Sequence, residues 1–310
     1  MTSVHDMGLL RAAVPFIRAY KNKIFVVKIG GELCHPGPVL DNVMEQLGLL
    51  YQLGMKIVLV HGGGPQATEL GDKLGVESSF VNGRRITSSE FIDVAKMAFA
   101  GTINTDVIAA GKRAGLPTVG LSGIDGDLLT AVRRETVEVV DAATRETRQV
   151  DFGFVGDVKH VDPRVIQHLL AGDFLPVICS LAADANGQVL NINADSLASA
   201  LAIRMEATKF CLLTNVDGVM GNLADSSTLL SYIDVVQAED LLASSKITGG
   251  MVAKLRTCVE AVKGGVPRAH IVNGRVRDSL LKEILTNEGS GTLIVRTKLK
   301  EELTAPAFSS

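Results

Sequence analysis

A chain of 310 residues with 46% hydrophobic residues, 21% charged residues and a formal charge of -3 can bury a large core, and it lacks the basic excess of a nucleic-acid binder. The balance also excludes a disordered, charge-driven chain, and no apolar run approaches the ~18 residues that span a bilayer. Cys34, Cys179, Cys211 and Cys258 stand far apart with no C-x-x-C pair and no charged-then-apolar leader opens the chain, so the expectation is a cytoplasmic protein with no zinc site, disulfide framework or membrane partner.

Residues 1 to 22 place Leu9, Leu10, Ala13, Phe16, Ile17 and Tyr20 at helical spacing, and Pro15 is expected to kink or interrupt that helix. Such a helix ahead of the first core strand either packs on the surface or grips another subunit. Ile24 to Ile29 then reads as a buried strand broken only by Lys28, two residues before Gly30-Gly31. A lysine there is costly unless its ammonium reaches water or an anion. It either snorkels at a sheet edge or meets a phosphate that the glycine amides also hold.

A helix from Val39 to Leu53 leads to the most informative stretch, Ile57-Val58-Leu59-Val60-His61-Gly62-Gly63-Gly64-Pro65. This predicts a strand, a tight turn and a helix that ends at Leu74-Gly75. Successive glycines let main-chain N–H groups approach an anion with no Cβ in the way, and the helix start adds unpaired donors and positive dipole. Strands alternating with helices at this rhythm imply a mostly parallel sheet covered on both faces.

Asn82-Gly83 signals a turn that also holds Arg84-Arg85, which are a carboxylate clamp or merely solvated charges. Ser88 or Ser89 caps a helix over Glu90 to Ala100, and a further helix reaches Gly115 before a short strand at Pro117 to Leu121. Thr130 to Val140 and Gln149 to Val155 are β-branched and charged, as in exposed antiparallel hairpins forming a flap over the sheet. A helix at Pro163 to Leu170 and a strand at Leu175 to Ser180 restore the rhythm.

On an extended Leu190 to Asp195, the side chains of Asn191, Asn193 and Asp195 share one face beside a helix start. Asp195 is then a site group, or only the cap of a helix beginning at Ser196. Lys209 to Leu213 is the next strand, feeding a turn at Thr214-Asn215, and residues 237 to 243 form a short helix. Gly249-Gly250 opens a helix whose apolar face is Leu255, Val259 and Val262, with Lys254 expected in its first turn. A cation there opposes the helix dipole unless an anion shares the spot. Ala269 to Val272 and Thr292 to Val295 close the sheet, and a loose tail follows Arg296.

Three glycine turns and two lysines without a long basic patch point to a phosphoryl group held between two lobes. No G-x-x-x-x-G-K-[ST] or G-x-G-x-x-G occurs. A His-Gly-Gly-Gly turn also serves lipases and esterases as an oxyanion hole, but the G-x-S-x-G elbow they need is missing. Together, Lys28-x-Gly30-Gly31, His61-Gly62-Gly63-Gly64, Asn82-Gly83-x-Arg85-x-Thr87, Asn191-x-Asn193-Ala194-Asp195 and Gly249-Gly250-Met251-x-x-Lys254 resemble the amino acid kinase family, and within it the members that phosphorylate N-acetylglutamate. The similarity runs from about Phe16 to Val295 in family order.

The resemblance implies a three-layer α/β/α sandwich with a largely parallel central sheet of about eight strands. It implies a first lobe over residues 23–204 for N-acetyl-L-glutamate and dimerisation, a second over 205–297 for ATP, and a loose tail over 298–310. Mg2+ would arrive on the ATP phosphates, with no metal site of the protein's own. The implied reaction moves the γ-phosphoryl group of ATP to the side-chain carboxylate of N-acetyl-L-glutamate, the second step of arginine biosynthesis. By matched positions, Lys28, Lys254 and Asp195 are catalytic, while Gly62, Gly63, Gly64, Arg85, Asn191 and Asn193 hold the acceptor. Gly30, Gly31, Thr214, Asn215, Gly249 and Gly250 hold the nucleotide and its phosphates.

Asn215 departs from the family pattern, which has aspartate there. Asn104 departs from it too, and Cys34-His35-Pro36-Gly37 is unusual after the first glycine pair, differences that could alter acceptor preference. The helix of residues 1–22 is similar to that of arginine-inhibited members. It implies a homodimer assembled as a trimer of dimers into a hexamer, and an L-arginine site near Tyr20, Lys209, His270, Glu288 and Gly291. Kinases of carrier-linked or N-acetyl aminoadipate, and a non-catalytic sensor on the same fold, are the alternatives.

Overall fold

In the computed structural model, which describes residues 5–140, 147–221, 228–244 and 247–297, helix α1 (His5–Tyr20) leads into β1 (Ile24–Ile29), α2 (Pro38–Gln52), β2 (Lys56–His61) and α3 (Gly64–Leu74). A hairpin of β3 (Ser79–Val81) and β4 (Arg84–Ile86) precedes α4 (Ser89–Lys96), a π-helical segment (Met97–Ile103) and α5 (Asn104–Arg113). The chain continues through β5 (Thr118–Ser122), β6 (Leu129–Arg133), β7 (Val137–Val140), β8 (Thr147–Val150), β9 (Val155–Val161), α6 (Arg164–Ala171), β10 (Leu175–Cys179), β11 (Leu181–Ala183) and β12 (Val189–Ile192). Then come α7 (Ala194–Arg204), β13 (Lys209–Thr214), β14 (Tyr232–Asp234), α8 (Val235–Ala243), α9 (Gly250–Lys263), β15 (Arg268–Asn273), α10 (Ser279–Leu285) and β16 (Thr292–Val295).

The central sheet has eight strands in the order β14-β16-β15-β13-β1-β2-β10-β5, parallel throughout except for the β15–β16 pair. Side chains alternate across β1: Phe25, Val27 and Ile29 join the core under α2, α4 and α5, whereas Val26 joins the core under α7 and α9. Lys28 shares the parity of Val26, so it points towards α7 and α9. This alternation decides which helices can meet its ammonium. No helix among the described residues is long and apolar enough to cross a membrane.

Several expectations need correction. α1 runs through Pro15 without interruption. Proline removes one internal helix bond, but Phe16 and Tyr20 just beyond it are buried, and the Tyr20 ring meets Phe25 edge-on at 5.4 Å, which anchors the last turn. The expected flap is only partly separate from the core: β6–β9 and β7–β8 pair antiparallel as expected and most of their polar residues are exposed, but Ala131, Val150, Phe152 and Val155 are buried. β6, β9, β11 and β12 close into a small barrel, and Leu129, Ala131, Leu190 and Ile192 turn inward from it. The β7–β8 hairpin matches the exposed ribbon the composition suggested. The helix expected to end at Ala100 instead continues through the π segment into α5.

At the end of β12 the extended pattern stops two residues early, at Asn193 rather than Asp195. Asn193, not Asp195, caps α7, its side-chain oxygen accepting from the Asp195 and Ser196 N–H groups, so the helix starts at Ala194 and the Asp195 carboxylate is left for other work. Lys254 is the fifth residue of α9 rather than a member of its first turn. Arg84 and Arg85 lie on β4, after the turn made by Asn82 and Gly83, both with positive φ. β14, on the outer edge of the sheet, and α10 had no counterpart in the sequence reading. The expected tail over 298–310 and residues 1–4 of the N-terminal helix lie outside the described residues.

Candidate active site

The cleft forms where β1, β2 and β13 end side by side. β1 stands between the other two, in register Lys28↔Val60 and Lys28↔Leu212, and the chain leaves it over one face through α2 but reaches β13 over the other through α7. Ligands of open α/β sheets gather at such carboxyl ends, where the strand order reverses. Gly30-Gly31, Gly62-Gly63-Gly64 and Thr214-Asn215 follow directly from the three strands.

The Lys28 ammonium lies 2.7 Å from Asp195 Oδ1, and both side chains are almost fully enclosed. Burial alone would push the Asp195 carboxyl up, but the Lys28 charge, its hydrogen bond and the Lys254 charge together hold it below the ordinary aspartate range. Asp195 therefore feels both lysines and stays ionised. The Lys254 ammonium folds back over the start of its own helix, 3.6 Å from where a Cβ on Gly250 would sit. Gly249, with φ 59 and ψ -140, occupies a conformation open essentially to glycine alone, and so turns the chain sharply enough to aim the amino end of α9 at the cleft.

The two glycine turns touch. A Cβ on Gly31 would stand 3.0 Å from Pro65 Cδ and 3.1 Å from the Gly63 nitrogen. Their amides are not equivalent, because Gly30 N–H donates to the Leu213 carbonyl at 3.1 Å and Gly62 N–H to the Ile29 carbonyl at 3.1 Å. Both extend the sheet ladder by one rung. Among the described residues, the Gly31, Gly63 and Gly64 N–H groups have no hydrogen-bond acceptor. These are the amides left for an anion, a division that spacing alone could not reveal.

Arg85 borders the same gap. Its guanidinium is stacked between Phe80 and Phe91, 4.5 and 4.2 Å from the ring centroids, and donates to Ser78 Oγ, the Gly64 carbonyl and Thr68 Oγ1. The hairpin is thereby tied to the first turn of α3. Asn191 Nδ2 donates to Thr87 Oγ1 at 3.1 Å, while Thr214 is buried and its carbonyl accepts from Gly274 N–H at 2.8 Å. The Thr214 hydroxyl turns to Asn215 Oδ1 at 3.4 Å.

A second cluster lies at the opposite, amino end of β13. Lys209 Nζ is 3.0 Å from His270 Nε2 and 4.9 Å above the Tyr20 ring, and His270 Nδ1 meets Glu283 Oε1 at 2.6 Å. Glu283 Oε2 accepts from the Ser290 and Gly291 N–H groups at 2.6 and 2.9 Å, and Arg268 donates to Tyr20 Oη at 3.0 Å. Burial pushes Lys209 down to about 8 and His270 down to about 4, whereas the Glu283 carboxyl, despite burial, is pulled down to about 2 by His270 and the two amides. Tyr20, Lys209, His270 and Gly291 thus come together as grouped from the sequence, but Glu288 is exposed and lies 3.6 Å from Lys282. The acid of the cluster is Glu283. Nothing local in the sequence marks it; only the packing of α10 on β15 brings it there.

His61, although part of the glycine motif, and Gln66, just beyond Pro65, were given no role in the sequence reading, whereas Cys34 and Asn104 entered it only as departures from the family pattern that could alter acceptor preference. A cavity of about 310 Å³ between β14 and α8, lined by Leu230, Tyr232, Gln237 and Asp240 among others, contains none of the cleft residues.

The profile of the amino acid kinase family matches residues 23–273. The chain is 40% identical over 287 residues to the acetylglutamate kinase of Myxococcus xanthus, covering 93% of each, and 39% identical over 294 residues to that of Symbiobacterium thermophilum, covering 93% of this chain and 97% of the other. Among solved structures it resembles the N-acetylglutamate synthase of Neisseria gonorrhoeae complexed with coenzyme A and N-acetyl-glutamate, with a TM-score of 0.80 and 26% identity. That match covers 96% of this chain and 65% of the synthase.

Proposed function

The chain belongs to the amino acid kinase family, and on that premise we propose that the cleft transfers the γ-phosphoryl group of ATP to the side-chain carboxylate of N-acetyl-L-glutamate. The observation that carries this reading is the convergence of Lys28 and Lys254 on Asp195 beside unengaged glycine amides. A carboxylate acceptor is already ionised near neutral pH, so the reaction asks for no general base. What opposes it is repulsion between two anionic reactants and charge on the equatorial oxygens of a loose transition state.

Within the reading, the residues divide the work. The first lobe, residues 23–204, takes the acceptor, with Arg85 on its α-carboxylate and the Gly63 amide, Gly64, Asn191 and Asn193 around the rest. The second, residues 205–297, takes ATP between Thr214-Asn215 and Gly249-Gly250. Lys28 and Lys254 flank the moving phosphoryl group with the Gly31 amide, and Asp195 holds the two ammoniums in place. A cleft rich in ammonium and amide donors fits a polyphosphate. When bound with ATP, Mg2+ supplies charge neutralisation at the β- and γ-phosphates.

The amino-end cluster is read as an L-arginine site that restrains the enzyme. Buried acid at Glu283 suits a guanidinium, and Tyr20 wires the cluster to α1, the helix assigned to a hexameric ring of dimers. Deleting residues 1–20 then yields dimers that ignore arginine. A truncated protein still hexameric and still inhibited overturns this assignment.

A coupled assay of ATP consumption tests the main reading with N-acetylglutamate, glutamate, aspartate and N-acetyl aminoadipate as acceptors. Turnover is expected with N-acetylglutamate above all others. Preference for aminoadipate, or tight ATP binding with no turnover on any acceptor, would overturn it in favour of the carrier-type kinase or the sensor respectively.

A further inference from the structure

Beneath the cleft, the carbonyls of Gly30, Gly31 and Gly62 each meet a polar side chain. Cys34 Sγ donates to the Gly30 carbonyl at 3.2 Å, Gln66 Nε2 to the Gly31 carbonyl at 2.7 Å, and His61 Nδ1 stands 2.9 Å from the Gly62 carbonyl. In a trans peptide the C=O and the following N–H point in opposite directions, and all peptides here are trans. Pinning the Gly30 and Gly62 carbonyls therefore turns the Gly31 and Gly63 N–H groups the other way, and neither of these has an acceptor among the described residues.

The His61 contact requires one tautomer. A carbonyl can only accept, so Nδ1 must carry the hydrogen, and Nε2 must then accept from its own neighbour. That neighbour is Asn104 Nδ2 at 3.0 Å, whose nitrogen assignment is fixed by a second bond to the Val177 carbonyl at 3.2 Å. His61 is fully buried, and burial pushes it down to about 4, so the ring is neutral at working pH. The position of Asn104 is itself engineered by packing. It opens α5 directly after the π segment, from which Phe99 and Ile103 press on Gly63 so closely that a Cβ there would stand 2.8 and 2.3 Å from them. Gly120 leaves room behind, since its own Cβ would fall 2.0 Å from Asn104 Oδ1.

We propose that Asn104 is a positioning residue for the kinase reaction: by donating to His61 Nε2 it fixes the imidazole with hydrogen on Nδ1, which holds the Gly62 carbonyl inward and aims the Gly63 N–H at the acceptor. The proposal rests on the reading that this gap holds the acceptor, but the tautomer is a property of the folded chain and can be measured without substrate.

The experiment has two parts on the full-length protein. In 15N-histidine-labelled protein, His61 is expected to show a pyrrole-type Nδ1 and a pyridine-type Nε2 near neutral pH. Asn104→Leu, checked for folding by thermal unfolding, is expected to give mixed tautomers. In the kinetic part, His61→Asn keeps an N–H where Nδ1 was, and His61→Gln places its amide where Nε2 was. The first is expected to keep the KM for N-acetylglutamate within about threefold, and the second to raise it by about tenfold or more, with the KM for ATP unchanged in both. An Nε2-protonated ring in the wild-type protein overturns the proposal, as does an unchanged tautomer in Asn104→Leu, or equal losses in the two folded His61 variants. Should the wild-type protein phosphorylate no acceptor while His61 shows the expected tautomer, the reading of the function fails and the assignment of the turn geometry stands.

Discussion

Two adjacent strands of the sheet each bury a lysine, and they do so at opposite ends. Lys28 lies near the carboxyl end of β1 and Lys209 at the amino end of β13, paired with Phe25, three residues or about 10 Å from the level of Lys28. Lys28 touches a carboxylate directly at 2.7 Å, beside glycine turns that leave amides open. Lys209 instead faces a neutral imidazole, with the carboxylate of Glu283 held on that ring's far side and Tyr20 covering the ammonium. The carboxyl end is built to receive a charge from outside. At the amino end, by contrast, the protein's own acid and amides already satisfy one another, so a ligand can enter only by rearranging them. On the proposed reading, position along a parallel sheet, more than residue type, separates the lysine assigned to the transfer from the one assigned to the arginine site.

The sharpest way to break this comparison is kinetic. Lys254→Ala should lower kcat by about 10² to 10³, worth ~3 to 4 kcal/mol, with a modest change in the KM for ATP, because the lost charge matters chiefly in the transition state. Lys28→Ala should do the same and also destabilise the fold, since it strands the Asp195 carboxylate in a buried position. Lys209→Met should leave kcat within about twofold in the absence of arginine. An equal kcat loss at Lys209 would mean that the two ends are not separate. Next in size, Arg85→Lys keeps the charge but forfeits the stack between Phe80 and Phe91 and the forked donors to Ser78, Gly64 and Thr68. The KM for N-acetylglutamate should rise by about 10- to 100-fold with kcat less affected. A drop in kcat with unchanged KM would move Arg85 from holding the acceptor to serving the transfer. Smaller again, Glu283→Gln should weaken arginine inhibition by about tenfold, while uninhibited turnover changes by less than about twofold. Inhibition at full strength in that variant would place the arginine elsewhere.

The carboxyl end was largely legible in the sequence because its parts are local. β1 runs from Ile24 to Ile29 as its apolar run indicates, and the strand, glycine turn and helix around His61 to Leu74 need only neighbouring residues to specify them. Asn82-Gly83 likewise announced its turn through the two positive φ angles it must supply. The rest depends on contacts between distant segments. Met97 to Ile103 is apolar at helical spacing, and no residue in it signals a π turn; the bulge becomes intelligible only from how tightly Phe99 and Ile103 close on Gly63. Asn193 and Asp195 are both good caps, and the choice fell to Asn193 because Lys28, far away in sequence, claims the aspartate. Glu283 stayed hidden for the same reason, its partners being set by how α10 docks. The barrel was not foreseen because strands such as Leu181–Ala183 are too short to show alternation, and because β6 and β9 join it only through pairing with distant segments.

The smallest effect compares the two ends through a histidine in each. His61 under the glycine turns and His270 beside Lys209 are both pushed down to about 4 from an ordinary 6.5, in each case chiefly by burial. In the unfolded chain these rings bind a proton as pH falls through about 6.5, whereas the folded protein refuses it until about pH 4. Their contribution to stability is therefore fully present above about pH 6.5 and is lost progressively towards pH 4, by at most ~1.4 kcal/mol per pH unit for each ring. Glu283, lowered from 4.5 to about 2, extends the loss below pH 4.5, while Asp195, lowered from 3.8, adds its share only in stronger acid. Urea unfolding at pH 7, 6, 5 and 4 should show this decline, and His61→Asn or His270→Asn should each remove about half of the slope between pH 6 and 5. A slope that survives intact in one variant would show that the ring at that end is already protonated in the folded protein. For His270 that outcome would replace the neutral relay to Lys209 with a charged pair to Glu283, and for His61 it would take away the tautomer on which the glycine turn depends.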